Sequence, residues 1–185
     1  MAAERPSFEA LVRAYLRAKD ENRPHLIDDA FAPDARLEVR VRAGAIAFPP
    51  VAVGSAAIAD VLVRRFAQVY ENVYTFCLAR PADGDATDFA CPWLVAMSAK
   101  ADGTLRVGCG SYAWRRQSGA PWLVERLAIE IDAMRELPAE ASRAVFDWVR
   151  HLPYPWCPPA AAACVPEGVG LEVVARALDR QPARH

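Results

Sequence analysis

Few side chains in this 185-residue sequence combine a type and a spacing that could support chemistry. The foremost is Glu125, a carboxylate set between Leu123 and Leu127. On a strand face turned toward a core it would lose water, its pKa would rise, and it would suit proton transfer. Treating Asp83-Gly84, Asp102-Gly103 and Ser118-Gly119 as two-residue hairpin turns sets the strand register. One row across four strands then holds Tyr74, Trp93, Tyr112 and Glu125, and the next holds Phe76, Cys91, Trp114 and Leu123. Glu125 and Tyr112 are accordingly the catalytic candidates. Tyr15, Phe66, Tyr74, Cys91, Trp93 and Trp114 are the candidates for lining a ligand. The plainer alternative leaves Glu125 at an open rim or accepting the Tyr112 hydroxyl, and a one-residue bulge would turn it outward.

Other signals are weaker. Gly108-Cys-Gly110-Ser-Tyr-Ala113 has the spacing of a dinucleotide-binding turn, but that turn needs a strand before it and a helix after it. Here strand pattern lies on both sides. His25 and Asp29 stand one helical turn apart, as an exposed pair would. Three scattered histidines make no metal constellation, and nothing in the sequence calls for a cofactor. Five cysteines, none in a Cys-x-x-Cys pair, read as free thiols, mostly buried, with a Cys157–Cys164 bridge as the minor alternative.

The elements that would position these groups are legible from periodicity. Ser7 caps a helix whose apolar stripe is Phe8, Leu11, Val12, Tyr15 and Leu16. A short second helix ends at Pro33, and from Ala35 the period becomes two, with Leu37, Val39 and Val41 facing inward. Ala43-Gly44 turns this strand into another ending near Val53, and a third helix carries Ile58, Leu62, Phe66 and Val69. Four strand-like runs follow, at 72–80, 86–100, 104–117 and 121–135. Their second face carries Ala90, Leu94, Ala96, Ser98, Val107, Cys109, Ser111 and Ala113, bordered by charges. Gly108 and Gly110 would leave room on the aromatic face for a helix or a ligand.

Composition limits the partners. Lys+Arg number 22 against 23 Asp+Glu, so there is no basic footprint for nucleic acid or anionic lipid. The longest uncharged stretch, 43–59, falls short of the roughly 20 apolar residues a span needs and contains two prolines. No secretion signal is visible at the start, and a cytoplasmic location is expected. Seven of the 15 prolines lie between Pro138 and Pro182. The division is therefore a domain over 1–137 and a helical, Pro-rich extension over 138–185. Tyr154 and Trp156 make that extension too apolar for a free tail, so it should pack on the domain, closing its mouth or covering a partner subunit.

The element order, Tyr15 in the first helix and the run Phe31-Ala-Pro-Asp34-Ala-Arg-Leu-Glu38 resemble the nuclear transport factor 2-like superfamily over about residues 6–137. The resemblance implies an α+β cone-shaped barrel: a strongly curved, mostly antiparallel six-stranded sheet on three N-terminal helices, with a pocket between them. It also implies frequent homodimers through the outer sheet face. Tyr15 matches the helix-one tyrosine that holds the oxyanion in ketosteroid isomerases, but Val39 stands where their base follows the strand glutamate. The histidine pair of scytalone dehydratase is absent, since 35–135 contains no histidine. Two functions are expected from this. One is a pocket protein for a small apolar or aromatic ligand, with SnoaL-like isomerase, cyclase or dehydratase chemistry. The other is a non-catalytic dimeric binding or scaffold module.

Overall fold

The Ser7 hydroxyl accepts the Ala10 amide at 3.1 Å and starts α1, Phe8–Asp20. The computed structural model describes residues 5–42, 46–82 and 84–180, so the expected turns at Ala43-Gly44 and at Asp83 lie outside or partly outside the described residues. The buried stripe of α1 runs past Leu16 to Lys19. Asn22, at φ 51°, takes the left-handed conformation that asparagine tolerates, and the helix ends there. A tight turn over Pro24–Leu26 leads into α2, Ile27–Ala30, and directly into β1, Phe31–Val41. This strand begins earlier than Ala35 because an irregularity between Phe31 and Arg36 accommodates Pro33.

After the short edge strand β2, Val51–Val53, one helical stretch carries the chain across the sheet. It consists of α3, Ser55–Ala59, a π-helical turn at Asp60–Arg64, and α4, Arg65–Val69. Four long strands follow: β3, Tyr70–Cys77; β4, Asp88–Ala99; β5, Leu105–Arg116; and β6, Val124–Leu137. The sheet order is β2-β1-β6-β5-β4-β3, antiparallel except where β1 meets β6. The architecture is the expected α+β one, with an open sheet rather than a closed barrel.

Register departs from the two-residue-turn expectation at every hairpin. The β3–β4 connection runs from Leu78 to Thr87, and a bulge near Asn72 shifts the pairing, so Tyr74 opposes Ala96 instead of Trp93. That odd displacement puts Tyr74 and Phe76 on the outer face and turns Thr75 and Cys77 inward. Between β4 and β5, Cys91 opposes Tyr112 and Trp93 opposes Gly110. This even displacement leaves each side chain on its expected face. Between β5 and β6 the turn spans Gln117–Leu123, and Tyr112 opposes Ile129.

Two cores result. The inner one lies between the sheet and α1–α4, with Trp114, Tyr15 and Phe31 among its fully buried side chains. The outer one is covered by the C-terminal segment: α5, Ser142–Val149, α6, Pro159–Ala162, and α7, Glu172–Asp179. Val145, Val149, Val174 and Leu178 pack on Phe76, Leu94, Val107 and Cys109. Burial holds the Cys109 thiol up to about 12. The segment also clasps the sheet edge, since Cys77 N donates to Pro155 O at 2.8 Å and Cys157 N to Cys77 O at 2.9 Å. It covers part of the outer sheet face.

Candidate functional site

In α1 the helical spacing stacks Tyr15 and Lys19 on one face, and the opposing strands supply Thr75, Trp93 and Tyr112. Together with Phe48, Phe66, Val95 and Ile129, among others, these side chains enclose an inner cavity of about 50 Å³. One water needs at least about 10–15 Å³ of such space, so the cavity has room for only a few. The wall is apolar except at a few points.

The main exception is Lys19, only 6% exposed. Its Nζ donates to Asp20 Oδ1 and to Thr75 Oγ1, both at 2.6 Å, and lies 5.1 Å from the Phe66 ring centre. Thr75 Oγ1 in turn donates to Asp20 Oδ1, and Thr75 N donates to Asp20 Oδ2, each at 2.8 Å. The fourth donor comes from the C-terminal segment, where Tyr154 OH reaches Asp20 Oδ2 at 3.1 Å. Helix, strand and extension thus meet on one carboxylate. The neighbouring carboxylate stabilises the protonated form of the Tyr154 phenol, but burial is the larger cause of its raised pKa.

Tyr15 and Tyr112 are packed at right angles, ring centres 5.9 Å apart. Burial raises both well above the usual phenol range, so they remain neutral donors and acceptors. Trp93 stacks on Tyr112 at 5.6 Å, and its buried Nε1 has no hydrogen-bond partner. Cys77 and Cys91 adjoin on the inner face; their mutual hydrogen bond and burial hold the Cys77 thiol protonated. Among the described residues no group of His, Cys, Asp or Glu could hold a metal.

Of the residues singled out from sequence, Tyr15, Phe66, Trp93 and Tyr112 line the cavity. Trp114 and Cys91 belong to the same core but are packed away, Trp114 against Tyr15 at 5.1 Å and Cys91 beside Cys77. Tyr74 does not join them: the Asn72 bulge turns it outward onto Phe146, at 6.2 Å. Glu125 does not join them either. Arg115 pairs with Arg126 but Arg116 with Val124, so Glu125 is the extra residue of a bulge and is exposed. The glycines opened space, but Trp93 and Met134 fill it, since a Cβ on Gly110 or Gly108 would meet them at 2.8 and 2.6 Å.

Lys19, Asp20 and Thr75 are absent from the sequence-derived site. A signal for Lys19 existed, because it falls four residues after Tyr15 and three after Leu16 on the apolar stripe. Nothing local links Asp20 to Thr75.

No family model matches the chain, and no curated protein matches it. Solved structures do. A nuclear transport factor 2-like superfamily protein from Salmonella enterica is 17% identical, covering 68% of this chain and 88% of that one, with a TM-score of 0.53. A hypothetical protein with a ketosteroid isomerase-like fold from Catenulispora acidiphila, in complex with trimethylamine, is 16% identical over 64% of this chain and 82% of that one, with a TM-score of 0.51. A computationally designed 17-OHP binder is 12% identical over 68% and 95%, with a TM-score of 0.53. The chain has the nuclear transport factor 2-like fold.

Proposed function

We propose that this protein binds a small, largely apolar molecule in the cone between the sheet and α1–α4. The observation that carries the reading is the buried Lys19 ammonium set in the wall of a largely apolar cavity. Apolar walls with a few convergent polar groups are the usual make-up of a small-molecule site. It is supported by the similar solved structures, one of which is in complex with trimethylamine and another of which is a designed 17-OHP binder. Glu125 is exposed and is not part of the cavity wall, so this reading is one of binding and gives that carboxylate no acid–base role. Unpaired cysteines, four of the five buried, favour a reducing, cytoplasmic setting.

Native mass spectrometry of the purified protein and thermal unfolding against a panel of small organic compounds test this. A ligand at about 100 times its Kd adds about 2.7 kcal/mol of stability. Co-purified mass or a ligand-dependent rise in Tm with altered tryptophan fluorescence is the expected result. A panel with neither counts against the pocket.

A second reading rests on the part of the outer face that α5–α7 leave open. Ala90, Ser111, Ala113 and Ala128 lie there beside charges that already neutralise one another, including Arg126–Glu38 at 2.6 Å and Arg42–Glu130 at 3.1 Å. A small-sided, self-neutralised surface suits a second copy of the chain. A homodimer in light scattering at micromolar concentration supports this mode, and a monomer removes it.

A further inference from the structure

We propose that residues 154–157 form a door in the side of the cone, latched by the Tyr154 hydroxyl on Asp20, through which small molecules reach the cavity; this rests on the reading of the cone as a small-molecule site.

The stretch passes from one core to the other at the free edge of β3. Cys157 is buried in the outer core, whereas Trp156, one residue earlier, packs against the inner one. The chain is pinned there to Cys77, the last residue of β3, by the bond from the Cys77 amide to Pro155 O and the bond from the Cys157 amide to Cys77 O. The Arg13 guanidinium of α1 lies 5.9 Å from the Trp156 ring centre, so the indole stands between α1 and the end of β3. Thr75, two residues back on the inward face that Cys77 shares, belongs to the cavity wall. Trp156 therefore covers the flank of the cavity.

The attachment is slight, and its parts are separable. Pro155 and Pro158 have no N–H with which to lengthen the pairing, so it stops at a single bridge on the edge strand. Tyr154 is 44% exposed, and its bond to Asp20, at 3.1 Å, is longer than the three that Asp20 accepts from Lys19 and Thr75. When Tyr154 leaves, water can replace Asp20 as its acceptor, while those three donors keep the carboxylate in place. The catch releases without dismantling the cluster. Trp156 favours release as well, because its buried Nε1 has no hydrogen-bond partner among the described residues, a cost that ends once water reaches it. Against release stand the edge contact of Tyr154 on the Phe76 ring, at 5.8 Å, and the burial of Pro155 and Cys157, which make the closed form the resting one. A stretch held by so few contacts opens locally, well below the cost of global unfolding.

Labelling of the full chain with N-ethylmaleimide, itself a small organic molecule, tests the door when followed cysteine by cysteine by peptide mass spectrometry. Cys77 sits behind the door; Cys109, whose Sγ faces Val174 O at 4.0 Å under α7, is the control. Tyr154→Phe removes the catch and keeps the ring. It should speed labelling of Cys77 about tenfold with Cys109 unchanged, since a hydrogen bond to a charged group is lost from the closed form alone. No change at Cys77, or an equal rise at Cys109, overturns the proposal: the first means that Tyr154 is no catch, the second that the whole domain loosened. Should Tyr154→Phe fail to fold, the parent decides. Its Cys77 labelling is expected to be flat across low urea, as a small local opening is, and a rate that climbs in step with that of Cys109 overturns the door. Labelling needs no ligand of the cone, so an empty compound panel with Tyr154-dependent labelling removes the site alone, and a bound compound with unmoved labelling removes the door alone.

Discussion

Asp20→Ala is expected to cost about 3–5 kcal/mol of stability, although Asp20 sits at the last position of α1, where most substitutions are mild. The reason is what the change leaves behind. The Lys19 ammonium, its side chain 7% exposed, would lose its counter-charge, and the Asp20 side chain itself is only 3% exposed. The Thr75 amide, the Thr75 hydroxyl and the Tyr154 hydroxyl would each lose an acceptor. Breaking a buried pair from one side is far more costly than replacing both members. The double variant Lys19→Met/Asp20→Ala should therefore recover much of the loss, giving a large favourable coupling in a double-mutant cycle. Asp20→Asn, which keeps one carbonyl acceptor, should fall between. Urea unfolding monitored by tryptophan fluorescence reads all three. An Asp20→Ala protein within about 1 kcal/mol of the parent would mean that the cluster is solvated and the pair contributes as a surface pair does.

That cluster marks where the sequence stopped being informative. Helical and strand periods report which residues share a face of one element, and on that basis Tyr15, Phe66, Trp93 and Tyr112 were found from sequence and do meet around the cavity. They do not report register between elements. The bulge at Asn72, which takes φ 53°, moves β3 by an odd number of places and so sends Tyr74 outward and Thr75 inward. The bulge at Glu125 does the same to the one carboxylate of the expected aromatic row. Displacements by an even number, as between β4 and β5, leave the faces intact, which is why Trp93 and Tyr112 still stack although they are no longer directly opposed. The destination of the C-terminal segment had a local sign. Trp93-Leu-Val-Ala-Met97 is apolar on both faces of β4, the pattern of a strand covered from two sides. Leu94 and Ala96 are fully buried beneath that segment's layer. The inner core alone does not account for them.

Gly110→Ala should be the most damaging single-methyl change in the sheet, costing about 3 kcal/mol or more. Its cause is space rather than backbone conformation, since Gly110 is not among the residues of positive φ. A Cβ built there lies 1.9 Å from the carbonyl oxygen of Glu130 and 2.8 Å from Cζ2 of Trp93. The oxygen belongs to the neighbouring strand and cannot yield without opening the β5–β6 ladder. It lies beside the bulge where Cys109 pairs with Ala133 and Gly110 with Ile131. Trp93 can yield only by rotating within a core where it is 3% exposed, toward the inner cavity that it lines. The same methyl would otherwise help a strand, because glycine in a strand interior is worse than alanine by about 0.5–1 kcal/mol. Gly119→Ala provides the control: nothing lies within 4 Å of its Cβ position, and that variant should unfold at the parent's Tm or slightly above. If Gly110→Ala folds at all, its indole emission should shift and any cone ligand should be weakened, since relief of the clash pushes Trp93 into the space the ligand needs. A Gly110→Ala protein as stable as Gly119→Ala, with unchanged emission, would show that β5 and β6 stand further apart at this point and that Trp93 is not held where the binding site requires it.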